Sequence, residues 1–425
     1  MKKLLAFLMV LCMVLAAFSG CGAGQAPAES GGEEKERVEI SVMLPPWSEI
    51  TDPALIEQFT EETGIVPNIT IVGWDAIHDK VTIASVSETA AADVFEVDWS
   101  WVTEFATIGC VEPLEFSDDV VADVPLFDVF SYDGKIIAVP YYNDFRILNY
   151  NQEHLDSAQI TELPTTWEEY VDTCLKLKAA GIEYPSDIQL SVSEGTTTRF
   201  MIQALSAHGP VFNDDNTINH DVVLATMQDY YDMIFVHEII NPASTNLIDQ
   251  EITQEYLNGV ISFVLGGPGA IYDNDSTSQI VGKGGMSLIP SSIEGKASVS
   301  YGLPGAVGIS AYSDKKEAAR TFVEWYTSLS GDSVARHLLA TQGIMPTRST
   351  LMAQFGEEGL IVDGEVVSEQ SKYVTSLFPN GIPVWYAEYS TAMANEINAL
   401  AMGQITPEQA TANIEAAVAA LIAAE

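Results

Sequence analysis

The residues best suited to chemistry stand where apolar runs stop. The run Ile136–Val139 ends at Pro140 and is followed at once by Tyr141, Tyr142, Asn143 and Asp144. Trp47 comes shortly after VEISVML, Trp74 closes IVPNITIVGW, and DVFEVDWSW ends in Asp98, Trp99 and Trp101. Rings beside carboxylates and amides suit a polyhydroxylated ligand, because the C–H face of a sugar stacks on Trp or Tyr while its hydroxyls donate to Asp and Asn oxygens. Ionised acceptors strengthen those bonds. The same set holds a cation equally well, through charge and ring faces. The residue types leave both ligands open.

Other chemistries find little support. The 6 histidines are scattered, and His237-Glu238 has no second His in zincin spacing. There is no CxxC, GxSxG, phosphate loop or dinucleotide fingerprint, so neither a metal nor a cofactor is expected. NDDNTIN, from Asn213 to Asn219, lacks the glycine and closing glutamate of a calcium loop and reads as a turn. A secreted lyase or glycosidase built on paired carboxylates stays as the enzymatic alternative.

The net charge of −42 excludes nucleic acid and anionic lipid as partners by repulsion, and serves solubility as readily as it serves a ligand. Hydrophobic content of 47% supports full folding, and the length suggests two domains.

The elements that must position these residues alternate. VEISVML reads as a strand, DPALIEQFTEETG as a helix stopped by Gly64, and IVPNITIVGW as a strand ending at Trp74. HDKVTIASVSETAA is helical and DVFEVDWSW is again a strand. Such alternation predicts a parallel sheet with helices on both faces, where ligands gather beyond the carboxyl ends of the strands. A largely helical region follows, with TTWEEYVDTCLKLKAAG capped by Thr165 or Thr166, then RFMIQALSAHG and VVLATMQDYYDMIFV. NGVISFVLGG and YGLPGAVGIS read as strands, and the C-terminus is helical with Thr406 capping and Pro407 at the first position. Trp167, Phe322 and Trp325 fall at helical spacing and are read as core.

Lys2 and Lys3 precede an apolar run from Leu4 to Phe18, a secretory leader over residues 1–20. Phe18-Ser19-Gly20-Cys21 resembles a bacterial lipobox, which implies lipidation at Cys21, and residues 21–37 read as a flexible tether. Cys110 and Cys174 then remain as two separate buried thiols.

From the tether to the C-terminus the chain resembles the extracellular solute-binding proteins of ABC importers, the family that includes maltose-binding protein. FTEETGIVP, DVFEVDWSWVTEFATIGCVEPL, YDGKIIAVPYYNDFRILNYNQEHL, LPTTWEEY, NGVISFVLGG, GISAYSDKKEAARTFVEWYTS and QGIMPTR match that family's segments in its order. The resemblance implies an α/β, two-lobed periplasmic-binding-protein fold of type II with a ligand cleft between the lobes. The first lobe would comprise residues 38–142 and 306–343, and the second residues 147–302 and 348–425. Hinges are then expected near 142–146, 303–306 and 344–347. It further implies no catalysis, capture of a carbohydrate by hinge closure and delivery to permease subunits, by a monomer held outside the cytoplasm through its lipid. A polyol, amine or betaine is the alternative cargo. The ligand residues implied are Trp47, Trp74, Asp98, Trp99, Tyr142, Asn143, Asp144, Arg199, Trp385 and Tyr386. Where maltose-binding relatives carry a stacking tryptophan this chain has Pro268-Gly269, leaving Tyr272 as the nearest ring.

Overall fold

The computed structural model describes residues 37–268, 278–375, 377, 378 and 381–424. The leader, Cys21 and Tyr272 lie outside the described residues. In chain order the strands are β1 Val38–Leu44, β2 Ile65–Ile71, β3 Val94–Asp98, β4 Ser131–Tyr132, β5 Lys135–Ile136, β6 Val139–Tyr142, β7 Ile147–Asn151, β8 Phe263–Gly266, β9 Gly284–Ser287, β10 Ser300–Tyr301, β11 Gly305–Ile309 and β12 Val374–Thr375.

The first sheet runs β2-β1-β3-β11-β6. β1 pairs parallel with β2 and with β3, as the alternation predicts. The sheet is not wholly parallel, however: β11 is antiparallel to both β3 and β6. A strand arriving from more than two hundred residues downstream enters between them, which no local pattern in the first hundred residues encodes. The second sheet, β8-β7-β9, is antiparallel.

Local chemistry explains most element ends. Asp52 caps the helix Pro53–Thr63 by accepting from the Ala54 N–H, Pro53 sits at its first position, and Gly64 ends it at φ 79°. Thr166 and Glu169 form a reciprocal capping box on the helix Trp167–Ala179. Asp133-Gly134, both at positive φ, turn the β4–β5 hairpin. Trp74 differs from expectation, because β2 stops at Ile71 and Trp74 opens the next helix, Trp74–Val86. The helix expected from Arg199 likewise starts earlier, at Glu194.

The core under the first sheet joins Ile40, Val42, Val94, Val139 and Val307 to Phe59 and Phe322. Phe322 lies edge-on to Phe59 at 5.8 Å, and Trp325 is 4.5 Å from the same ring, so the helical spacing did mark packing. Trp167 is buried with its indole N–H on Ser206, 2.8 Å away. Cys110 and Cys174 are free and buried.

Three segments leave the first sheet side by side. The Asn143 N–H donates to the Met345 carbonyl (3.2 Å), the Leu303 N–H donates to the Asp144 carbonyl (2.8 Å), and Phe145 bridges Gly302. The Thr347 hydroxyl donates to the Pro140 carbonyl at 2.9 Å.

Candidate functional site

β3 delivers Asp98 at its carboxyl end in extended conformation. Its Oδ1 accepts from the Ser100 N–H (2.9 Å) and hydroxyl (2.6 Å), and its Oδ2 accepts from the Trp74 indole N–H (3.2 Å). An Asp two residues before a Ser makes such a turn from its own sequence. Burial, with a smaller push from the charge of Asp144, raises the Asp98 carboxyl to about 6 despite these donors. Trp74 in turn packs at 4.5 Å, tilted by 38°, on Trp101, which is buried and belongs to the core.

Glu194 opens the helix Glu194–Ala207, where the helix N-terminus favours a carboxylate. The Tyr386 hydroxyl donates to its Oε1 at 2.6 Å, and the Ser390 hydroxyl donates to its Oε2. Burial first, then the charges of Asp98 and Asp75, push this carboxyl up to about 7. Tyr386 and Ser390 share the helix Tyr386–Ala401, one turn apart. The Trp99 ring meets Tyr386 edge-on at 5.1 Å, so the end of β3 and the C-terminal helix touch through aromatic rings. Gly195 follows Glu194 because a Cβ there would sit 2.3 Å from Gln189 Oε1.

A second polar group surrounds Asp144, which is 2% exposed. Its Oδ2 lies 3.1 Å from Arg146, and the Tyr142 phenol stands against the same carboxylate. Arg146 also reaches Asp249 at 3.5 Å, and Asp249 pairs with Arg199. Burial would raise the Asp249 carboxyl, but the two guanidiniums outweigh it and hold Asp249 below the ordinary range. For Asp144 burial prevails over Arg146, leaving it raised. Tyr142 stands beside Asp144, and burial followed by that charge pushes its phenol well up.

The expected residues thus separate. Asp98 holds the Trp74 indole and Trp99 meets Tyr386, Asp144 lies near enough for its charge to act on Asp98 and has Tyr142 beside it, and Asn143 is half-buried with its backbone N–H on the Met345 carbonyl. Arg199 is buried and paired with Asp249, and its Nη1 makes no hydrogen bond. Trp47 is half-buried against the first core, with its indole nitrogen enclosed and without a hydrogen bond. Trp385 and Tyr386 are both buried, Trp385 with its ring 6.2 Å from Phe212 and Tyr386 with its ring against Trp99.

Sequence reading missed Glu194, Glu96 and Asp249. Glu96 is 1% exposed in β3, where burial and Asp98 push its carboxyl well above the ordinary range. A lone acid inside an apolar strand was its signal; Ser193-Glu194 before a run of threonines was the weaker one for Glu194. Among the described residues no His, Cys, Asp and Glu cluster is fit to hold a metal ion. A cavity of about 620 Å³ lined by Phe212, Tyr301 and Phe378 includes none of these cleft carboxylates.

Comparison with known proteins gives concordant results. The profile of bacterial extracellular solute-binding proteins matches residues 46–331. The arabinooligosaccharide-binding protein of Halalkalibacterium halodurans is 24% identical over 194 residues, 44% of this chain and 42% of the relative. A probable amino-acid ABC transporter periplasmic-binding protein of Sinorhizobium fredii is 25% identical over 287 residues, 64% of each. The match therefore spans less than two thirds of either curated relative. Maltose-bound MalE3 of T. maritima superposes with a TM-score of 0.79 at 21% identity, over 90% of this chain and 100% of that one. A ribitol-bound solute-binding protein of Agrobacterium radiobacter reaches 0.79 at 18% identity, over 90% and 98%. At these identities the likeness establishes the two-lobed α/β fold.

Proposed function

The chain belongs to the bacterial extracellular solute-binding proteins, and from that premise we propose that it captures a carbohydrate or polyol in the cleft between its lobes and presents it to an ABC permease. The observation that carries this reading is the meeting of Asp98 and Trp99 from the first sheet with Glu194 and Tyr386 from two distant helices. Acceptors for hydroxyls and rings for C–H faces converge from both sides, which is the chemistry a sugar or polyol asks for. The likeness to maltose-bound and ribitol-bound structures supports the same class.

Capture works by hinge closure. The segments at 142–146, 303–306 and 344–347 cross side by side, held by the backbone bonds of Asn143, Leu303 and Phe145, so the lobes rotate about one narrow strip. A solute that contacts both lobes stabilises the closed form by its differential affinity, and the closed form docks on the permease. The protein works outside the cytoplasm as a monomer, with Cys21 carrying the lipid that keeps it near the membrane and the tether giving it reach. In this reading the cargo is bound and released unaltered. The test is a thermal-shift screen against mono-, di- and oligosaccharides and polyols with recovery of the cargo. A rise in melting temperature with intact cargo sustains the reading; consumption of the cargo, or no shift with any glycan or polyol, sinks it.

A further inference from the structure

The cavity bounded by Phe212, Tyr301 and Phe378 measures about 620 Å³, within the range of roughly 300–1,000 Å³ that small-molecule sites occupy, and neither Asp98, Asp144 nor Glu194 lines it. The Phe212 and Phe378 rings stand 5.0 Å apart and form an aromatic wall, with Leu205, Val299 and Leu377 around it. Several polar side chains of the lining are already engaged within the chain. The Ser298 hydroxyl lies between the Ile289 carbonyl (2.9 Å) and Gln370 Oε1 (3.0 Å), the Asn213 amide donates to the Ile218 carbonyl (3.1 Å), and the Tyr373 hydroxyl donates to Glu369 Oε1 (3.0 Å). The hydroxyls of a sugar would find few of these groups free, so the interior suits a ring with an apolar face.

Two lining groups are left over. Tyr301 is 3% exposed, yet its hydroxyl has no hydrogen-bond partner among the described residues. A buried hydroxyl costs free energy until it is paired, so a partner supplied from the cavity is favoured. Lys296 stands exposed in the same lining and pairs with no acid among the described residues, although acids outnumber bases 60 to 18 along the chain. Lys372, also in the lining, is paired with Glu369, and Asp214 lies exposed on the turn after Phe212. A hydroxyl donor and an ammonium beside an aromatic wall ask for an anionic acceptor attached to a ring. We propose that this cavity is a second binding site, distinct from the solute cleft, for an aromatic carboxylate whose ring packs on Phe212 and Phe378 while its carboxylate accepts from Tyr301 and faces Lys296. The inference stands apart from the solute-capture reading and does not depend on it.

The test is calorimetric titration of the intact chain with phenylacetate, 4-hydroxycinnamate and 2-naphthoate, each beside its neutral primary amide. At least one acid should bind with a Kd below about 1 mM and more tightly than its amide. Tyr301→Phe should weaken that acid by about fivefold or more, and Lys296→Gln by about two- to fivefold, the worth of an exposed ion pair. Leu205→Trp fills the cavity from a half-buried helix position and Thr375→Trp fills it from an exposed one. Either variant, with native circular dichroism, should abolish binding. The inference is overturned if no acid binds, if the amides bind as tightly as their acids, if a folded filling variant still binds, or if affinity is indifferent to both Tyr301→Phe and Lys296→Gln.

Discussion

The Tyr386 hydroxyl donates to Glu194 Oε1 across 2.6 Å, joining residues 192 positions apart, and the same tyrosine ring rests edge-on against Trp99. One side chain therefore orients an acid from one helix and meets an aromatic residue from the first sheet. Tyr386→Phe keeps the ring contact and removes the donor. It should raise the Glu194 carboxyl further above its present value of about 7 and weaken ligand binding several-fold near neutral pH, with little loss of melting temperature. Unchanged affinity across a pH titration would remove Glu194 from the binding set.

The raised carboxyls make ligand-free stability depend on pH in a defined direction. Asp98 and Glu194 are held at about 6 and about 7 in the folded protein, above their ordinary values of 3.8 and 4.5. The folded state binds more protons than the unfolded one, so their contribution is full below about pH 4 and is lost as pH rises towards 7. Stability measured by denaturant unfolding across pH 5 to 8 should fall by about 4 kcal/mol from these two groups. Asp98→Asn with Glu194→Gln should flatten that slope; an unaltered slope in the double variant assigns it to other groups.

Asp144→Ala should cost stability as well as affinity. Removing this carboxylate strips Arg146 of its 3.1 Å partner in an almost fully buried setting, although Asp249 remains within 3.5 Å. The expected loss is about 1.5–3 kcal/mol, read by denaturant unfolding. A fully stable variant would mean that Arg146 finds compensation elsewhere.

Gly305 begins β11 where it passes between β3 and β6, and a Cβ there would lie 2.7 Å from Glu96 Oε1 and 3.2 Å from the Tyr142 ring. Gly305→Ala must displace two residues at the edge of the cleft. A destabilisation of about 1–3 kcal/mol is expected from overpacking, together with altered ligand affinity; native melting temperature and affinity would show the strip more yielding than its packing implies.

Cys110 and Cys174 should not react in the folded chain. Burial pushes the Cys110 thiol up to about 12 and the Cys174 thiol higher still, so almost no thiolate exists near neutral pH. Incubation with iodoacetamide followed by mass spectrometry should find both unmodified until denaturant is added. Labelling of the native protein would reveal local opening.

Much of this was legible without coordinates. Asp52, Pro53 and Gly64 bound one helix and Thr166 with Glu169 opens another, because caps are satisfied by atoms a few residues away. Asp98 with Ser100, and Pro140 leading into Asp144, marked the ends of strands by composition alone. The fold followed from matches in a shared order along the chain. Trp385 and Tyr386 were read as a pair, but their separate neighbours, Phe212 for the first and Trp99 with Glu194 for the second, come from distant segments that local spacing does not encode.

What the sequence by itself determined was the alternation of strands and helices, their caps and the acidic, aromatic character of the strand ends, all consequences of local spacing and side-chain type. What only the tertiary structure decided was which acids among the described residues are answered by a cation. Arg199 finds Asp249 from 50 residues away, Tyr386 finds Glu194 from 192, and β11 enters between β3 and β6. Pairing and burial are set by which surfaces pack together, and charge compensation inside a low-dielectric cleft depends on distances that no spacing along the chain encodes.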